Sequence, residues 1–88
     1  LLILTLILVF KTSSVSTASF TGYVNDKIPT VYLRSQPAHS SRTVAILNPG
    51  SEVLVDRSTI RQEAIWYHIT SSSGSGWIPE TNLSLSKP

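Results

Sequence analysis

Histidine, serine and carboxylate are the residues in this chain that could carry out a reaction, and their spacing argues against one. His39 and His68 are the only two histidines, on separate elements, and neither has an Asp or Glu in a recognisable catalytic order. No His-Glu-x-x-His pair or other metal-ligand spacing occurs. Serine is abundant, but none sits in a Gly-x-Ser-x-Gly elbow. The run Ser71-Ser72-Ser73-Gly74-Ser75-Gly76 lacks the Lys-Ser/Thr of a phosphate-cradling loop and reads as a flexible turn. Five carboxylates (Asp26, Glu52, Asp56, Glu63 and Glu80) are scattered along the chain. There is no cysteine, which removes thiol chemistry and disulfides together. The expectation is a protein that is not an enzyme, with no catalytic residue, metal or cofactor.

Flat aromatic rings suit binding better than catalysis, because they give a large contact area at low entropic cost. Trp66, Trp77, Tyr23, Tyr32 and Tyr67 are the candidates. If Ile65, Tyr67 and Ile69 fill a core, alternation turns Trp66 and His68 outward. Tyr32 shares an outward face with Arg34 by the same parity. Trp77 either plugs the core or lines a groove. The polar segment between residues 35 and 42 adds Gln36, His39 and Arg42, which could hydrogen-bond carboxylates and amides of a peptide. The ligand-binding set read from sequence is therefore Tyr32, His39, Arg42, Trp66 and Tyr67.

The elements that must position these residues are short strands. No window sustains apolar residues at helical spacing; alternating or β-branched runs are divided by Gly, Pro, Asn, Asp and Ser. Strands are expected at Phe20 to Val24, Val31 to Arg34, Thr43 to Leu47, Ser51 to Asp56, Ala64 to Ile69, Trp77-Ile78 and Leu83 to Leu85. One helical turn is expected at Pro79 to Asn82. Asn48-Pro49-Gly50 is a turn, with Pro fixing φ and Gly supplying a positive one. Val31, Leu33, Val53 and Val55 should face inward. Five to seven short strands in so short a chain predict an all-β fold, a small barrel whose closure removes edges a short chain cannot cover.

The 88 residues allow one domain. The opening Leu1 to Phe10 (LLILTLILVF) is too short for the ~20 residues that span a bilayer but fits the apolar core of a secretory leader. Small residues at Ser16-Thr17-Ala18 place cleavage after Ala18, so residues 1–18 are expected to be a leader and residues 19–88 the domain. Export to the periplasm or cell surface follows, with membrane contact only through an uncleaved leader. A truncated membrane anchor or a buried first strand is the competing reading of the same run. The whole chain carries a net charge of +2, and without Lys11 the remaining six cations and five carboxylates leave +1, their signs interspersed. Nucleic-acid binders usually cluster far more cations, so no nucleic-acid partner is expected. A domain of this size without staples lies near the lower limit for an independent core, and a monomer is expected.

In order along the chain, these pieces resemble the bacterial Src-homology-3-like domain of exported and cell-wall proteins. That family opens with an apolar strand running into Arg-Ser-Gly-Pro, matched by Val31-Tyr32-Leu33-Arg34-Ser35-Gln36-Pro37. A Ser-rich loop and an apolar strand ending in a Gly turn follow, matched by Ser40-Ser41 and Val44 to Gly50. Glu52-Val53-Leu54-Val55 leads to Trp66-Tyr67-His68-Ile69, then Gly74-Ser75-Gly76-Trp77-Ile78 and Leu83. Tyr32 stands where the family has a small polar residue, Gln36 replaces Gly, and Ser58 to Ala64 reads as a longer hairpin than the usual Asn-Gly. The resemblance implies a small SH3-like barrel and a non-catalytic binding function. Its ligand would be the cell wall, either peptidoglycan or its peptides. An adaptor for an envelope protein, or the targeting domain of a truncated wall hydrolase, are the alternatives. The loop lacks the carboxylates with which eukaryotic domains of this name grip Pro-rich ligands, and this disfavours polyproline recognition by that route.

Overall fold

The structure is a computed structural model that describes residues 19–87. The expected leader lies outside the described residues. Seven strands form one antiparallel sheet curled into a half-barrel: β1 (Phe20–Val24), β2 (Val31–Arg34), β3 (Thr43–Leu47), β4 (Glu52–Arg61), β5 (Ala64–Ser71), β6 (Gly74–Pro79) and β7 (Leu83–Ser84). Their order across the sheet is β3-β2-β6-β5-β4-β1-β7. A single 3₁₀ turn, Glu80–Asn82, links β6 to β7, and no α-helix occurs among the described residues. The all-β SH3-like expectation holds.

Alternation fills the concave face. Val24, Val31, Leu33, Leu47, Val53, Val55, Ile69 and Ile78 form the buried cluster, with Ile28, Ala45, Tyr67 and Leu83 packed at its rim. Each fully buried aliphatic contributes about 1.5–3 kcal/mol relative to exposure, and no disulfide adds to them.

β6 passes close under β2. A Cβ built on Gly76 would lie 2.5 Å from the Arg34 carbonyl oxygen and 2.9 Å from Leu33 Cγ. Only glycine lets the two backbones approach there. The same crossing sets the single bridge between Arg34 and Trp77 that closes β2 onto β6.

The expected fourth strand ended at Asp56, with a long hairpin from Ser58 to Ala64. Instead β4 continues to Arg61, pairs in register with β5 as far as Arg61 and Ala64, and turns through only Gln62 and Glu63. Both turn residues have positive φ, 54° and 66°. That is the backbone of a two-residue type I′ turn, whose twist matches the flanking strands but which favours Asn-Gly. The pattern was hard to read because charged and polar residues (Arg57, Ser58, Arg61) occupy a strand held by its ladder rather than by burial. A register shift between Val55 and Arg57 makes Asp56 an extra residue on β4. Beyond this β-bulge, Arg57 faces His68 and Thr59 faces Trp66.

Candidate functional site

The site is built on the convex face of β5 and β6. Trp66 pairs with Pro79 and His68 with Trp77, so these four side chains share one face, opposite Ile69 and Ile78. The loop between β2 and β3 folds over part of it. Arg34 ties that loop down: its Nη1 donates to the Ser41 carbonyl at 3.2 Å and to Thr43 Oγ1 at 2.7 Å. The Ser35 N–H donates to the Arg42 carbonyl at 2.9 Å, and Ser41 Oγ lies 2.7 Å from the Ala38 carbonyl and 3.0 Å from that of Gln36. Pro37, within the loop, is buried. Its fixed φ and these internal bonds hold His39 over the sheet. The His39 ring meets Trp66 edge-on, with centroids 4.8 Å apart.

This corrects the parity reading of Trp66. It does point away from the main core, yet only 2% of it is exposed, because the loop covers it. Ile65, expected inward, is partly exposed instead, since it lies near the tip of the β4–β5 hairpin, where the half-barrel does not close over it.

Beside His39 opens a groove of about 380 Å³. It is lined by His39, by Glu63, Ala64 and Ile65 at the hairpin tip, and by Pro79, Glu80 and Thr81 where β6 enters the 3₁₀ turn. Three segments distant in sequence thus converge: the loop, the hairpin tip and the turn. Glu63 and Glu80 bring two carboxylates to it, and no ion pair among the described residues engages either. Ile65 and Pro79 supply apolar wall. A groove of this composition suits an extended ligand with an apolar body and a cationic group.

Of the expected binding residues, the structure brings His39 and Trp66 together. Tyr32 is exposed on β2 with the Arg34 guanidinium 5.0 Å from its ring centroid, away from the groove lining. Arg42 is exposed at the end of the loop and does not line the groove. Tyr67 is half-buried on the opposite, concave side, packed at the core rim and edge-on to Phe20 at 6.3 Å. Glu63 and Glu80 were missed because each reads as an ordinary turn residue; nothing local marks them as neighbours.

Next to Trp66 on the convex face, His68 Nδ1 lies 2.8 Å from Asp56 Oδ1, and its ring meets the edge of Trp77 at 5.1 Å. Arg57 covers Trp77 at 5.4 Å and sits 3.6 Å from Asp56. The bulge at Asp56 makes this arrangement, which braces β4, β5 and β6 through side chains. Among the described residues no three His, Cys, Asp or Glu converge as a metal site. A larger hollow, about 460 Å³, lies between the turn after β1 and the C-terminal residues. Its charges, Asp26, Lys27 and Lys87, are of both signs and it has no aromatic side chain, so the smaller groove is the better candidate.

A curled antiparallel half-barrel with a groove between a loop, a hairpin tip and a 3₁₀ turn defines a small SH3-like binding module. The family model described as the bacterial SH3 domain matches residues 29–84. The chain belongs to that family, a family of binding domains that are generally non-catalytic, often cell-wall associated and often found in exported proteins. No curated protein and no solved structure gives a significant match to the chain.

Proposed function

We propose that this protein is a non-catalytic extracytoplasmic module that recognises the cell wall through the His39 groove, taking the amine-bearing peptides of peptidoglycan. The observation that carries the reading is the pair of unengaged carboxylates, Glu63 and Glu80, flanking a groove walled by Ile65 and Pro79. The sequence suggested a loop that donates hydrogen bonds to ligand carboxylates. The opposite wall instead offers carboxylates, which favour the free amines of diamino-acid side chains and cross-bridge termini. His39, packed on Trp66, supplies an aromatic edge and a hydrogen-bonding nitrogen.

Co-sedimentation of residues 19–88 with insoluble peptidoglycan sacculi tests this, alongside His39→Ala and Glu63→Gln/Glu80→Gln. All the substituted side chains are exposed, so the variants should keep the wild-type circular dichroism spectrum. The wild type should pellet, less so as salt rises, and both variants should remain in solution. A wild type that stays in the supernatant at low salt would refute wall binding. Equal pelleting of all three would refute the groove as its site.

A further inference from the structure

Three ionisable side chains line one groove, and no ion pair among the described residues includes any of them. They are Glu63 at the hairpin tip, Glu80 in the 3₁₀ turn and His39 in the β2–β3 loop. His39 differs from the carboxylates in one respect, because imidazole is the side chain whose charge ordinarily changes between about pH 5 and 8. It is also held in place. Its ring rests on that of the buried Trp66, centroids 4.8 Å apart, and the Arg34 bonds to Ser41 and Thr43 fix the loop that carries it. A proton taken up by His39 therefore adds a positive charge to the groove wall.

The surrounding charges set the sign of its effect. The other walls bring Glu63 and Glu80, and β5 brings only the uncharged Trp66 against the ring. Arg42, on the same loop, and Arg61, paired with Ala64 beside the hairpin tip, do not line the groove. Each guanidinium keeps its charge throughout this range. His68, farther along the same face of β5, is engaged by Asp56 at 2.8 Å and lies outside the lining. With neutral His39 the lining carries two negative charges and a ring nitrogen able to accept a hydrogen bond. With protonated His39 the two carboxylates are offset by one cation, and the ring has only donors. Protonation thus removes an acceptor and places like charge beside a ligand's ammonium.

We propose that His39 makes the groove a pH-gated site for primary amines, open to an ammonium ligand when the imidazole is neutral and closed to it when the imidazole is protonated. The proposal rests on the reading of the groove as an amine site and adds its regulation. Proton and ligand compete for the same two carboxylates, so each weakens the binding of the other by the same factor. Binding is strongest above the histidine range and is lost as pH falls through it. The module holds amine-bearing wall peptides at neutral pH and releases them on acidification.

Two measurements test the gate. Pelleting of the protein with sacculi at low salt, at about pH 7.5 and about pH 5.5, brackets the ordinary histidine range. The wild type should bind at least ~5-fold more weakly at the lower pH, the lower end of the usual coupling between sites. His68→Gln should show the same loss. His39→Gln, whose amide takes up no proton there, should show almost none at whatever affinity it retains. In the second measurement, NMR follows the imidazole signals of the chain's two histidines against pH. A lysine-bearing tripeptide with an acetylated N-terminus is added at millimolar concentration. It should move the His39 midpoint to lower pH and leave that of His68 in place, while its Nε-acetyl form, which has no side-chain cation, should move neither. Equal pelleting at the two pH values would overturn the gate and leave wall binding standing. So would a loss that His39→Gln retains in full or that His68→Gln abolishes. Failure to pellet at the higher pH would refute wall binding alone; the tripeptide then decides the gate, and an unmoved His39 midpoint would overturn it.

Discussion

The β4–β5 turn offers a prediction whose size can be worked from the backbone. Gln62 and Glu63 hold φ at 54° and 66°, a region that L residues other than Asn, Asp and Gly occupy at a cost of about 1–2 kcal/mol each. Replacing Glu63 with Gly relieves that strain but loosens the unfolded chain by about 0.4–1 kcal/mol, leaving a smaller net gain. Replacing Gln62 with Asn relieves part of the strain without that offset, since the Asn side chain tolerates the left-handed region. Together Gln62→Asn/Glu63→Gly should stabilise the domain by about 1–2 kcal/mol, raising Tm by about 4–16 °C for a domain of this size. Thermal unfolding followed by circular dichroism measures it. Glu63→Gln, which removes the charge but keeps the strained φ, is the control and should leave Tm nearly unchanged. A double variant that unfolds at or below the wild-type temperature would refute the type I′ assignment and the strain assigned to it. Glu63 also lines the groove, so the stabilised variant should bind sacculi less well. Strained backbone clusters at ligand clamps, which accords with the role proposed for Glu63.

Trp66→Ala should lose about 3–5 kcal/mol, as buried aromatics do, which approaches the whole stability expected of a domain this small; urea unfolding should show little folded protein in water, and a normal midpoint would contradict the burial. Gly76→Ala should cost about 1–3 kcal/mol or more, because its Cβ meets the backbone of Arg34. Gly22→Ala should cost less, although its nearest contact is 2.8 Å, because that contact is the flexible end of Leu83; equal midpoints for the two in urea would refute the distinction. Arg34→Ala removes two hydrogen bonds that hold the loop. Amide exchange of residues 35–42 should accelerate and Trp66 should become open to acrylamide quenching, while the β4–β5 amides stay protected; no change in the loop would refute the tether.

Local pattern was sufficient for β1, β2 and β3, whose bounds follow from β-branched alternation between Asn, Pro and Gly breaks. It was sufficient as well for the inward set of Val31, Leu33, Val53 and Val55, since a strand has only two faces and the apolar one must be buried. The ordered motifs from Val31 to Leu83 carry the likeness to bacterial SH3 domains in the sequence alone. Alternation cannot say which convex positions a loop will cover, so it turns Trp66 to the surface, where the loop carrying His39 covers it. Nor can it show that a polar stretch such as Arg57 to Arg61 is held in a strand by hydrogen bonds to its neighbour. The groove was further still from the sequence, because His39, Glu63 and Glu80 lie on three separate connections. Only the curl of the sheet, which carries the loop, the hairpin tip and the 3₁₀ turn to one place, makes them neighbours.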